Sequence, residues 1–250
     1  MRRRAIRLLR AVGLGLILGA GVFWWKMDSI GSERLEQVRA RVEAPLKRAL
    51  AAAELRYGAP VFVRVLKEES ELELWVQPEE GKPWKLFRKW RIANYSGTLG
   101  PKLKEGDMQA PEGFYEVGLK QLNPMSRFHL SFNIGYPNAY DQHHGRTGSL
   151  IMVHGSNVSI GCFAMTDPVI EEIYLLVEAA IKSGQKAVPV HVFPFRMTAD
   201  RLAKAEADNA LWLSFWREEL SPGYEVFETT RIPPVIKVVA GRYELPNASR

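Results

Sequence analysis

The sequence predicts a mainly β fold, an antiparallel sandwich with helices at its flanks. Two observations carry this expectation. Between residues 60 and 134 apolar residues recur at every second position in several short runs, broken by turn residues, which is strand spacing. Helical spacing is confined to a few stretches, at residues 31–58, 168–184 and 198–220. A chain of 250 residues with 46% apolar content suits one main domain with extensions and a sizeable core.

At the N-terminus, Arg2, Arg3, Arg4, Arg7 and Arg10 precede the apolar run Ala11–Trp25, which ends in Phe23-Trp24-Trp25. A basic flank followed by an apolar segment reads as an export signal or a membrane anchor over residues 1–30. Leu18-Gly19-Ala20 makes a poor cleavage site and the tryptophan pair suits a membrane interface, so an uncleaved anchor is favoured. The expected location is the periplasm or cell envelope, with the membrane as a partner through this segment. The formal charge of +6 arises here: residues 1–26 hold the six excess basic residues and no acid. The rest is neutral, without the global basic field of a nucleic-acid binder, so no nucleic acid is expected.

Residues 31–58 read as a helical stalk or packing helix, with Leu35, Val38, Val42, Leu46 and Leu50 at helical spacing and Pro45 kinking it or opening a second helix. Val61–Val65, Leu72–Val76 and Trp84–Ala93 read as strands, residues 94–111 as loop, and Phe114–Val117 and Arg127–Ile134 as further short strands. Gly135–Gly148 is a long polar loop carrying His143 and His144. Adjacent histidines point to opposite sides of an extended chain, and no zinc spacing surrounds them, so neither a metal nor a cofactor is expected. Thr166 or Asp167 caps a helix with Pro168 at its start and Gly184 at its end, followed by a strand at Val188–Phe193 containing His191, read as structural. Thr198 caps a last helix to about Leu220, stopped by Pro222-Gly223, with Leu202, Leu211, Leu213, Phe215 and Trp216 as its packing set. Val235–Val239 and Arg242–Leu245 read as a terminal strand pair.

The stretch Ser149–Asp167 carries the chemistry. It holds the only cysteine of the chain, Cys162, and His154 at the end of the apolar run Leu150–Val153. Gly161 permits a tight backbone in which consecutive N–H groups converge. A thiol needs a base, and an acyl-transfer intermediate needs donors for its oxyanion. All three parts are local here. The other reading of the same residues is a small buried cysteine and a structural histidine. An exported chain that keeps one unpaired cysteine keeps it inert or keeps it for reactivity, which favours the nucleophile.

His154-Gly155 followed by Ser159-Ile160-Gly161-Cys162 resembles the active-site signature of the YkuD-type L,D-transpeptidases, a His-Gly and then a Ser-His-Gly-Cys. Gly106-Asp107, Ala110–Tyr115, Phe132–Asn138 and Gly161–Asp167 resemble further blocks of that family, in the same order and closest to its YafK branch. The resemblance spans roughly Pro60–Phe195 and implies a YkuD-like sandwich. The expected domains are the leader at 1–30, the stalk at 31–58, the catalytic domain at 59–196 and a helix and strand extension at 197–250. This sequence departs from the family in having Ile160 where many members have a second histidine, and Ala164 where many have Arg or Asn.

The resemblance implies Cys162 as nucleophile, His154 as its base, and the N–H groups of Gly161 and Cys162 as an oxyanion hole. Ser159 and Gly155 would orient the loop or contact substrate, Tyr136 and Asn138 would touch substrate, and the Gly135–Gly148 loop would close over Cys162 as a lid. The substrate would be a peptidoglycan stem peptide attacked at its third-residue carbonyl. An acceptor amine gives a transpeptidase of cell-wall remodelling, acting on another stem or on a wall-attached lipoprotein. Water gives a hydrolase of the same mechanism, an L,D-carboxypeptidase or an amidase freeing lipoprotein. The readings from other classes are a non-catalytic peptidoglycan-binding module and a cytosolic redox thiol protein, the latter opposed by the N-terminal segment and by the lack of a resolving cysteine.

Overall fold

Val61-Phe62-Val63-Arg64-Val65-Leu66 forms a strand, β1 (Val61–Leu66), buried at all six positions. A strand covered on one face alternates; one covered on both reads as a continuous apolar run. The computed structural model describes residues 33–246, and the basic and apolar leader lies outside the described residues. Among the described residues no helix is long and apolar enough to cross a membrane.

Around β1 lie β2 (Glu71–Val76), β3 (Lys85–Arg91), β4 (Gly113–Val117) and later β9 (Val188–Phe193), in the order β3-β2-β1-β9-β4. A second sheet has the order β5-β6-β7-β8, from β5 (Leu122–Asn123), β6 (Ser131–Asn133), β7 (Met152–His154) and β8 (Phe163–Ala164). The sheets are mixed, where the sequence led to an antiparallel expectation: β1 pairs with β9 and β7 with β8 in parallel. β1 and β9 lie far apart in sequence, whereas β7 and β8 are joined by only the eight residues 155–162; strand periodicity carries no information on direction in either case.

One face of the five-stranded sheet, with Val63, Val65, Leu74, Val190 and Val192, meets the second sheet and α3 (Asp167–Lys182) in the main core. Helix α1, residues 33–52, docks on the same core through Leu35, Val38, Leu46 and Leu50, and Arg39 and Arg41 pair with Glu178 and Glu171 of α3. It runs unbroken through Pro45, because Val42, Leu46 and Leu50 keep one apolar register across the proline and packing holds it.

The other face, with Phe62, Arg64, Phe114 and Phe193, is covered by the C-terminal region. Thr198 Oγ1 accepts the Arg201 N–H at 3.2 Å and caps α4 (Ala199–Ala207). A second helix then begins at α5 (Leu213–Phe215), widens in a π turn at Trp216–Leu220 and continues as α6 (Ser221–Thr230). Pro222-Gly223 therefore does not stop the helix. The proline follows directly on the π turn at Trp216–Leu220, where the regular i to i−4 ladder is already interrupted. Gly223 is there for packing: a Cβ would lie 2.6 Å from the Phe114 ring. Leu211, expected in the packing set, is 86% exposed in the turn between the helices. The terminal pair forms as β10 (Lys237–Val239) and β11 (Arg242–Glu244).

Candidate active site

Strand β7 ends at His154, and the parallel register pairs Val153 with Phe163 and His154 with Ala164. Alternation along the strands therefore puts Met152, His154, Cys162 and Ala164 on one face, with the thiol and the imidazole as diagonal neighbours. Both line a cleft of about 600 Å³, walled by Lys102–Met108, Ser126–Phe128 and Gly148–Met152.

The imidazole is 2% exposed, and its Nδ1 lies 2.5 Å from the Gly155 carbonyl oxygen. A carbonyl can only accept, so Nδ1 carries the proton and Nε2 keeps its lone pair. Burial lowers the His154 pKa, against a raising contribution from the Gly155 carbonyl. Phe128 packs its ring 4.8 Å from the imidazole. The Cys162 sulfur accepts the Met152 N–H at 3.3 Å and lies 3.6 Å from the Leu150 carbonyl oxygen, where its S–H donates. Burial raises the thiol pKa, while the Met152 N–H and the Lys102 ammonium draw it down. Both directions favour the uncharged forms, a thiol and an imidazole whose Nε2 carries no proton.

Gly161 has φ +129°, a backbone position that strains any side chain. Its N–H donates to Ser159 Oγ at 3.2 Å, and that hydroxyl donates to the Cys162 carbonyl at 2.6 Å. Ser159 therefore staples the turn, and the Gly161 N–H is not free for an oxyanion. The Cys162 N–H takes no partner among the described residues, so the expected pair of donors is reduced to one at rest. Gly155 serves packing, since a Cβ there would lie 2.4 Å from Asp167 Oδ1 and 2.7 Å from the Phe128 oxygen. Ile160 is 77% exposed on the rim of the cleft.

Tyr136 and Asn138 do not reach the cleft. The Tyr136 hydroxyl lies 3.2 Å from the carbonyl oxygens of Lys102 and Thr147, bracing two cleft walls from behind. Asn138 caps α2 (Ala139–His143), accepting the Asp141 N–H and donating to the Phe114 carbonyl and the Tyr243 hydroxyl. It belongs to a separate cavity of about 690 Å³ lined also by His191 and Pro233–Ile236, which is larger than the cleft but holds neither Cys162 nor His154. The expected lid is divided in the same way. His144 stacks on Tyr140 at 4.2 Å and Tyr140 on Tyr243 at 4.3 Å, so α2 packs on the C-terminal hairpin, and only the Gly148 end of the loop lines the cleft. His191 is enclosed by Phe62, Phe114 and Phe193, and burial with the nearby Arg64 brings its pKa down to about 3.

Further residues support the site, Asp107 and Glu112 from blocks that the motif already contained and Ser131 from outside them. Asp107 accepts from the N–H groups of Leu103, Lys104 and Gln109 and pairs with Lys102 at 2.5 Å, shaping one wall. Glu112, fully buried, binds Lys67 Nζ at 2.9 Å, the Gly100 N–H at 2.6 Å and the Trp216 indole at 2.8 Å. Ser131 faces His154 directly across β6 and β7, and its buried hydroxyl has no partner.

Residues 73–192 match the family model of the L,D-transpeptidase catalytic domain, YkuD. YafK of Escherichia coli (strain K12), named as a candidate L,D-transpeptidase, is 47% identical over 186 residues, 74% of this chain and 74% of that protein. The protein of the same name in Escherichia coli O157:H7 matches to the same extent. Among solved structures, the helical cell shape determining protein Pgp2 of Campylobacter jejuni aligns with TM-score 0.45 and 23% identity over 75% of this chain and 77% of that one.

Proposed function

We propose, for a chain that belongs to the YkuD L,D-transpeptidase family, that Cys162 attacks the third-residue carbonyl of a peptidoglycan stem peptide and carries the acyl group as a thioester. The observation behind this is the shared cleft in which His154 Nε2 is left free by the Nδ1–Gly155 bond, beside a thiol on the same sheet face. His154 takes the thiol proton as sulfur bonds to the carbonyl carbon. The Cys162 N–H meets the developing oxyanion, an interaction worth about 3 kcal/mol. The carbon–nitrogen bond then breaks, and the imidazolium returns the proton to the leaving amine. A second amine resolving the thioester gives a cross-link or a lipoprotein attachment, in cell-wall remodelling; water gives a carboxypeptidase or an amidase that frees lipoprotein. One thiolate and one thioester serve both. The reading carries with it a location in the periplasm or cell envelope, held to the membrane by the leader.

The test incubates the chain and its Cys162→Ala variant with purified sacculi, with and without bound lipoprotein, and reads the fragments by mass spectrometry. New stem-to-stem links made only by the intact chain establish the transpeptidase. Shortened stems or freed lipoprotein establish the hydrolase. Sacculi left unchanged by both proteins, with binding retained, overturn catalysis in favour of a peptidoglycan-binding module.

A further inference from the structure

The cleft extends past His154 on the side away from Cys162. In the sheet order β5-β6-β7-β8, the thiol stands at the β8 side of β7, whereas Ser126, Arg127, Phe128 and Ser131 belong to β6 and the turn before it. Proton return from His154 requires the departing nitrogen to lie over this imidazole, so the residue carrying that nitrogen falls on the β6 side. Two groups there have nothing to do in the resting protein. Ser131 Oγ is buried and unpartnered, directly opposite His154 in the register. Arg127 is exposed at the cleft and meets no carboxylate within ion-pair distance among the described residues.

The turn that presents Arg127 is not loose. Arg34 of α1 donates to the carbonyl oxygens of Ser126 at 2.9 Å and His129 at 2.6 Å. His129 holds a left-handed φ of +70° and its Nε2 lies 2.7 Å from Glu171 of α3. Ser126 Oγ accepts the Phe128 N–H at 3.0 Å, closing the turn. A guanidinium held on a braced turn, beside a buried free hydroxyl and next to the base, is what recognition of a charged planar group needs.

We propose that Ser126–His129 and Ser131 form the subsite for the amine that leaves the acyl-enzyme step, with Arg127 binding a carboxylate on the residue that owns this amine. Ser131 accepts a hydrogen bond from the amine nitrogen, and Arg34 is a positioning residue that acts through the turn. This rests on the roles of Cys162 and His154 given above. The step itself is balanced: sulfur bonds to carbon, the carbon–nitrogen bond breaks, and the nitrogen takes the proton that the thiol gave to His154.

The test compares two stem-peptide donors that differ only in the last residue, one ending in a free carboxylate and one in a carboxamide, turned over by the full chain. The expected preference for the carboxylate in kcat/KM is roughly 10- to 100-fold, the range of a charge-assisted pair. Arg127→Gln brings the carboxylate donor down to the rate of the carboxamide donor, and Arg127→Lys keeps part of the preference. Arg34→Gln erodes the preference through KM with Cys162 still alkylated by iodoacetamide. Equal rates on the two donors in the wild type, or a preference that survives Arg127→Gln, overturn the subsite while leaving the mechanism standing. Turnover of neither donor overturns both.

Discussion

The two sheets of this molecule are built by different means. The five-stranded sheet has six-residue strands such as β1 and β9, buried on both faces, and backbone pairing and apolar contacts dominate it, joined by one buried ion pair, Arg64–Glu73, across β1 and β2. The sheet that carries the candidate site has strands of two and three residues. Segments so short bury little and pair little, so side chains bonded to backbone complete them: Ser159 across the Cys162 turn, Asp107 along one wall, Arg34 across the Ser126–His129 turn. The scaffold is specified by hydrophobic pattern and the site by individual polar groups. Each sheet also holds a buried histidine with a lowered pKa. His154 has one nitrogen on a carbonyl and the other free toward a cleft; His191 has an aromatic enclosure and an Nδ1 with no partner.

The largest effects are expected at the site sheet. Cys162→Ala removes the thioester and with it all turnover, with an unchanged melting temperature. His154→Ala is expected to cost about 10²- to 10⁴-fold in kcat, the range for a positioned general base. In the wild type, kcat/KM falls as the solution is acidified past the His154 pKa, since protonated Nε2 cannot accept the thiol proton. That fall lies below the ordinary histidine value of about 6.5, because burial lowers it. Alkylation of Cys162 by iodoacetamide rises with pH to a midpoint above the ordinary cysteine value of about 8.5. An acid limb above 6.5 would break the contrast between a poised base and a merely buried one.

Next comes the polar post that fastens the scaffold to the C-terminal helices. Glu112 neutralises Lys67, both fully buried, while also holding Gly100 and Trp216. Glu112→Ala leaves a buried ammonium uncompensated, a loss of about 3–5 kcal/mol. A chain of this size would melt roughly 10 °C lower. Calorimetry of the variant measures it, and a drop of only a degree or two would mean that water reaches Lys67.

How much of this could be read from the sequence follows the same division. Val61–Val65, Leu72–Val76 and Val188–Phe193 were legible because an apolar run of strand length has few other uses. The expected strand Arg127–Ile134 is mostly turn, and only Ser131–Asn133 pairs, because a three-residue strand has no period to detect. Cys162, His154 and Gly161 were legible through their motif and lie together. Tyr136 and Asn138 sit in an equally family-like block but brace the cleft and cap a helix. The spacing of Asn138 to Asp141 is that of a capping box, a signal that was available. Lys67, Arg34 and Ser131 carried no signal, because what they do depends on partners far along the chain.

The contrast between the histidines can be measured as stability. His191 titrates at about 3 in the folded chain and near 6.5 unfolded, so between these values the unfolded state binds the extra proton. Its contribution to stability is complete above pH 6.5 and is lost as the pH falls, by about 2 kcal/mol at pH 5. His191→Phe, amid Phe62, Phe114 and Phe193, removes that titration. The variant's melting temperature is therefore expected to fall less from pH 7 to pH 5, by roughly 4–8 °C. Identical slopes would place a compensating charge beside His191.

The smallest expected effect is the sharpest test of how the site sheet is held. Ser159 has its hydroxyl committed on both sides, accepting from Gly161 and donating to Cys162. If its work is to hold the turn, Ser159→Ala costs about 1 kcal/mol, roughly 5-fold in kcat, with KM unchanged. Ser159→Thr, which keeps the hydroxyl, then recovers most of the rate. If Ser159 instead touches substrate, the loss falls on KM and threonine, with its extra methyl, does not restore it. The Gly161 N–H adds a second arm to the argument. Freed from Ser159 by the alanine substitution, it becomes available as a second oxyanion donor beside the Cys162 N–H. A loss well under about 5-fold would then mean that the turn keeps its shape without the staple and that the released N–H offsets part of the cost.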